Sequence, residues 1–143
     1  MGMKNIFTMK NTGIWIDKEK AYIVSIENEN ETFQTVLSNI EHYNIHGGSG
    51  TRLKGGPQDV VQDRKYLERE KQQLKKYFKA IATHVDDTNA LVIFGPADTN
   101  EKFSKELHEN YKSLSAKIKG IKKADSMSDN QVKALVRDFF DSN

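Results

Sequence analysis

The chain has 143 residues, 29% charged and 36% apolar, with a net charge of +2, which suits one domain around one core and is too apolar for a disordered tract. It has no cysteine, so disulfides and thiolate metal sites are excluded, and a reducing, cytoplasmic setting is expected. No apolar run approaches the ~18 residues that a membrane-spanning helix needs.

The opening MGMKNIFTMK is basic and lacks the apolar stretch and cleavage site of a signal peptide. Residues 1–12 are therefore read as a flexible extension and 13–143 as a single α/β domain. GIWIDKEKAYIVSIE alternates Ile14 and Ile16, then Tyr22, Val24 and Ile26, around a polar turn at Asp17–Lys20, the period-two pattern of a hairpin. NENE at 28–31 is a second turn, and TFQTVLSNIEHY a third strand. A three-stranded antiparallel meander is the expected result.

Next, HGGSGTRLKGGPQD, His46 to Asp59, packs five glycines and one proline into fourteen residues. Beyond it Val60, Leu67, Leu74 and Ile81 recur every seventh residue, with Phe78 beside them. This predicts a long helix over about 60–83 with one apolar stripe available to the sheet. Lys65, Arg69, Gln72, Lys76 and Lys79 fall within about 80° of one another on the opposite side. ALVIFGPA, 90–97, reads as a strand buried on both faces and stopped by Gly-Pro. A helix follows from about Thr99, its expected cap, through Phe103, Leu107 and Tyr111. SAKIKGIKKAD alternates Ala116, Ile118 and Gly120 as a polar-flanked strand. SDNQVKALVRDFF opens with Ser128 and Gln131 in capping-box spacing and places Val132, Leu135, Val136 and Phe139 on one helical face. The order βββ-α-β-α-β-α describes a mixed sheet with helices packed on it.

Charge is localised. Residues 47–83 hold nine Lys or Arg against four Asp or Glu, while the flanks are near neutral. Such a segment suits an anionic partner, although a solvated helix face explains the charge equally well. In the glycine-rich segment, residues without Cβ let backbone N–H groups approach phosphate closely, Arg52 offers a bidentate grip, and Lys54 adds a point charge. His42, Tyr43 and His46 are candidates for stacking on unpaired bases, with end-of-strand packing as the plainer reading of His42 and Tyr43. KGGPQD lacks the Gly-Lys-Ser/Thr ending of a P-loop.

These elements resemble the middle domain of the class I peptide-chain release factors of eukaryotes and archaea and of their relative Pelota, over about residues 13 to 140. GIWIDKEKAYIVSI resembles that family's opening hairpin. HGGSGTR stands where the family has its Gly-Gly-Gln loop, LVIFGPADTNEKF resembles its Gly-Pro-ended strand and following helix, and KIKGIKKADSMSDNQVKAL resembles its closing strand. The resemblance implies a ribonuclease-H-like α/β fold that works in translation, with the ribosome, ribosomal RNA or tRNA as partners, other translation factors as further candidates, and no cofactor. Ser49 follows Gly47-Gly48 where the family has Gln, so efficient peptidyl-tRNA hydrolysis is not expected, while a residual activity stays open. The expected RNA-binding residues are Gly47, Gly48, Ser49, Gly50, Arg52 and Lys54 with Lys65, Arg69, Lys76 and Lys79.

Three other readings compete. A metal-dependent nuclease would use Asp17 and Asp125 at strand ends for Mg²⁺, against the routine role of Asp17 in a turn. Asp86 and Asp87 read as solvated turn residues. A serine hydrolase would pair Ser49 with His42 or His46, but no Gly-x-Ser-x-Gly elbow is present. His84 and His108 fall on helices as surface residues, and nothing has metal-ligand spacing. A protein-interaction module would use an exposed edge of the first hairpin or the Phe139–Phe140 pair.

Overall fold

Alternation and turn chemistry build the first three strands. The computed structural model describes residues 9–40 and 56–142. Lys10–Ile16 (β1), Lys20–Glu27 (β2) and Asn30–Leu37 (β3) pair as the antiparallel meander. Asp17 closes the first turn, its carboxylate accepting the N–H groups of Glu19 and Lys20 at 2.8 and 2.9 Å. The second turn leaves Asn28 and Glu29 between the strands. Asn28 has φ 59°, the left-handed conformation that tight hairpins require and asparagine tolerates.

β1 starts at Lys10, three residues before the Gly13 start read from the sequence. Lys10, Asn11 and Thr12 pair with Glu27, Ile26 and Ser25. Thr12 is fully buried, its hydroxyl 3.1 Å from that of Ser25 and accepting a 2.8 Å bond from Thr88. A polar residue whose partners lie 13 and 76 positions away looks like a solvated arm when read locally. β3 ends at Leu37, and the expected continuation to Tyr43 lies outside the described residues.

The remaining elements are Gly56–His84 (α1), Ala90–Gly95 (β4), Ala97–Asn110 (α2), the short Lys112–Ser115 (α3), Ile118–Lys123 (β5) and Asp129–Ser142 (α4). The sheet order is β3-β2-β1-β4-β5, with β4 parallel to both β1 and β5. Only β2 runs against the others, so the fold is the mixed, ribonuclease-H-like α/β arrangement expected. Parallel neighbours need crossovers; the β1–β4 connection runs through β2, β3 and α1, and the β4–β5 connection through α2 and α3.

The two faces of the sheet are covered by different helices. On one, Ile14, Ile16, Ile23, Leu91 and Ile93 pack with Phe78, Ile81, Phe103 and Leu107 of α1 and α2. On the other, Trp15, Val24, Val92 and Phe94 pack with Val132 and Val136 of α4. β4 is buried along its whole length, which explains its uninterrupted apolar sequence. Each such side chain, fully buried, contributes about 1.5–3 kcal/mol. Gly13 lies under α4, where any Cβ would overlap the methyls of Val136, so glycine sets how closely α4 approaches β1.

The two helix starts contrast. Ser128 and Gln131 form the expected capping box, with Ser128 N–H donating to Gln131 Oε1 at 2.9 Å and Gln131 N–H to Ser128 Oγ at 3.3 Å. In α2 the cap is Pro96 and not Thr99, which sits inside the first turn and is buried. Proline suits this place because its fixed φ matches a helix start and no N–H is required there. Gly95, just before it, has φ 143°, and a Cβ there would strike the carbonyl oxygen of Ile16 on the neighbouring strand.

Candidate nucleic-acid interface

α1 is 29 residues long, about 43 Å, and its two ends meet different surroundings. In its last turns Tyr77, Phe78, Ile81 and Ala82 are buried and Leu74 packs beside them. Leu67, expected to continue this stripe against the sheet, is instead 63% exposed. Strands of six to eight residues span only about 20–27 Å, so the helix outruns the sheet before its apolar pattern ends. Tyr77 was not foreseen as an anchor. Its hydroxyl donates a 2.9 Å bond to the carbonyl oxygen of Asp17, and burial, with the nearby Asp17 charge, pushes its phenol far above the ordinary value.

This anchoring turns the basic side outward. Lys65, Arg69, Lys76 and Lys79 are all exposed, as is Gln72, on the side of α1 opposite Phe78 and Ile81. Over fourteen steps they form a row about 21 Å long. Lys65, Lys76 and Lys79 make no ion pair with any other described residue. The chain's own described carboxylates therefore leave these three lysines to solvent. Gly47, Gly48, Ser49, Gly50, Arg52 and Lys54, like His42, Tyr43 and His46, lie outside the described residues.

A further group of cations was missed. Lys71 and Lys75 of α1 face Lys102 and Lys105 of α2 across a groove of about 670 Å³ floored by Leu67 and Phe78. Glu70, Glu106 and Glu109 share the same rim, so its charge is mixed. The two lysine pairs are some thirty residues apart in sequence, so a segment-by-segment charge count does not join them.

The rival sites gain little from the geometry. The Asp17 carboxylate serves its turn and lies 3.7 Å from Lys20 Nζ. Asp125 follows β5, and its carbonyl oxygen accepts a 3.2 Å bond from the Trp15 indole N–H. Among the described residues no three His, Asp or Glu side chains gather as a metal would require. Asp87 is ion-paired with Lys10 at 3.0 Å, whereas Asp86 is exposed at the turn. His84 and His108 are exposed, and His108 Nδ1 lies 2.9 Å from the carbonyl oxygen of Ser104.

For the interaction-module reading, the first hairpin has no free edge. β1 is flanked by β2 and β4, and β2 by β1 and β3, which leaves β3 and β5 as the edges. The meander's third strand and the β4 crossover cover both sides of the hairpin. Phe139 and Phe140 contact each other edge to face at 5.1 Å and pack partly buried against the α4-side core.

No family model matches the chain, and neither does any curated protein at significance. Solved structures do. The fold is similar to the Pelota protein of Thermoplasma acidophilum, with TM-score 0.54 and 16% identity, over 92% of this chain and 33% of that one. It is likewise similar to an archaeal translation termination factor, with TM-score 0.54 and 8% identity over 93% and 39% of the two chains. Archaeoglobus fulgidus Pelota gives TM-score 0.53 and 10% identity over 98% and 38%. The chain thus spans between a third and two-fifths of the length of these proteins. At such identities the likeness establishes a shared fold. Among the described residues no helix is long and apolar enough to cross a membrane.

Proposed function

We propose that this chain is a release-factor-like protein of translation that binds ribosomal RNA or tRNA in the cytoplasm and lacks efficient peptidyl-tRNA hydrolysis. The observation that carries the reading is the row Lys65, Arg69, Lys76 and Lys79, exposed along about 21 Å of a helix whose last turns are fixed to the sheet on the other side. A fold shared with Pelota proteins and a translation termination factor supports the choice of RNA over other polyanions. Arg52 and Lys54, with the N–H groups of Gly47, Gly48, Ser49 and Gly50, extend the same cationic run in sequence toward the backbone of the bound RNA. Ser49 stands where the resembled family has Gln and offers no carboxamide, which is the basis for assigning binding without hydrolysis.

Six cations on phosphates give a log affinity that falls with log salt at a slope of roughly −4 to −6. Co-sedimentation with ribosomes across a salt series measures that slope, and labelled peptidyl-tRNA in the same samples reads hydrolysis. Arg52→Glu and the double change Lys76→Glu with Lys79→Glu should each weaken sedimentation while leaving the circular dichroism spectrum unchanged. If both variants sediment as the parent does, this surface is not the RNA-binding one.

A further inference from the structure

On the far side of the sheet from α1, at the β5 edge, a second basic surface differs in kind from the helix row. β5 pairs with β4 alone among the described residues, so its other side is open. Lys122 O accepts a bond from the Asn100 carboxamide at 3.2 Å, and Ala124 N–H donates to Gly95 O at 3.0 Å, so both turn their main-chain groups toward β4. By the alternation of a strand, Ile121 and Lys123 turn theirs outward. Ile121 is also 43% exposed. Beside this edge a groove of about 540 Å³ runs between β5 and α4, lined by Phe94, Ile121, Leu135 and Phe139 with Asp138 as its one carboxylate.

The charge on the edge selects the occupant. Lys117, Lys119, Lys122 and Lys123 fall within seven residues, and none makes an ion pair among the described residues. Lys122 Nζ instead lies 5.8 Å from the Phe139 ring centroid. A lysine-lined edge repels a second copy of itself, the usual protection of open edges. The same lysines attract a strand that alternates acidic and apolar residues. Nucleic acid would answer the cations but not the outward N–H and C=O groups, the exposed Ile121 or the apolar groove.

We propose that β5 is a docking edge for an acidic, extended peptide of a partner protein, which adds as a sixth strand, places apolar side chains over Ile121 and into the groove at Phe139, and pairs its carboxylates with Lys119, Lys122 and Lys123. The site is separate from the α1 row, so it stands or falls independently of RNA binding.

The test uses the full chain and a fluorescein-labelled octapeptide of alternating Asp and Val. Fluorescence anisotropy should show saturable binding, and hydrogen exchange at saturation should slow about tenfold or more at the Ile121 and Lys123 amides. The double variant Lys119→Glu with Lys122→Glu should weaken the peptide about tenfold; should that variant not fold, Lys119→Gln with Lys122→Gln makes the same comparison. Unchanged exchange at the two amides under excess peptide overturns the proposal. Equal binding of an alternating Lys–Val peptide overturns it too. So does an oligouridine that binds at these lysines while the acidic peptide does not.

Discussion

The hydroxyl of Tyr77 in α1 donates a 2.9 Å hydrogen bond to the carbonyl oxygen of Asp17 in the turn between β1 and β2. One bond thereby ties the helix that presents the basic row to the hairpin at the centre of the sheet. Tyr77→Phe keeps the ring and removes the bond, at an expected cost of about 1 kcal/mol. The melting temperature followed by circular dichroism should fall by roughly 3–5 °C. The phenol adds a pH signature. Its folded value is raised above the ordinary 10.0, so its contribution is complete below about pH 10 and is lost as pH rises through the range above. The parent should lose stability more steeply than Tyr77→Phe in that alkaline range; parallel curves would mean the phenol is not held as described.

Gly95 is held at φ 143° with the Ile16 carbonyl where a Cβ would sit. Gly95→Ala meets both the backbone strain and the contact with a neighbouring strand. A loss on the order of 3 kcal/mol is expected, lowering the melting temperature by roughly 10 °C. A variant as stable as the parent would show that the β4–α2 junction relaxes freely.

Arg137 grips Glu31 through Nε at 2.8 Å and Nη2 at 3.3 Å, joining α4 to the edge strand β3. The hydrogen bond from Arg137, opposed in part by desolvation and aided by its charge and that of Lys133, holds the Glu31 carboxyl below the usual carboxylate range. A depressed carboxylate stabilises the fold above its unfolded pKa, and that stabilisation fades as pH falls through the lower folded value. Glu31→Gln should therefore melt slightly below the parent at neutral pH, with the gap closing as pH falls below the ordinary carboxylate range. A gap independent of pH would point to packing and not charge.

For the proposed RNA contact, replacing Lys76 and Lys79 by Glu should make the salt slope of ribosome binding shallower by roughly two, about one per lost phosphate contact. Equal slopes for parent and variant would separate these lysines from the bound phosphates.

The elements that were legible in sequence are those whose pattern is local. Alternation at Ile14 and Ile16, the unbroken ALVIFG of β4, and the Ser128–Gln131 box each carry their own periodicity or cap. What was not legible depends on how far the neighbouring layer extends. Leu67 fits the same heptad as Ile81, yet it is exposed because the sheet stops short of it. Thr99 is a good cap residue by type but is buried within the first turn of a helix that Pro96 caps. Tyr77 and Thr12 owe their roles to partners 60 and 76 positions away, beyond any local reading. Of the candidate site, the outward side of α1 was readable from helical spacing. The lysines around the α1–α2 groove were not, since tertiary packing brings them together.

Trp15 is the chain's one tryptophan, at zero exposure beneath α4, its indole N–H 3.2 Å from the carbonyl oxygens of Ala124 and Asp125. Its emission is therefore an unlabelled gauge of that face, short in wavelength while the last helix is seated and red-shifted once water reaches the ring. Tyr22 packs against the same ring, with centroids 5.9 Å apart, across the β1–β2 pair. One native chromophore thus reports whether the terminal helix is seated on the sheet.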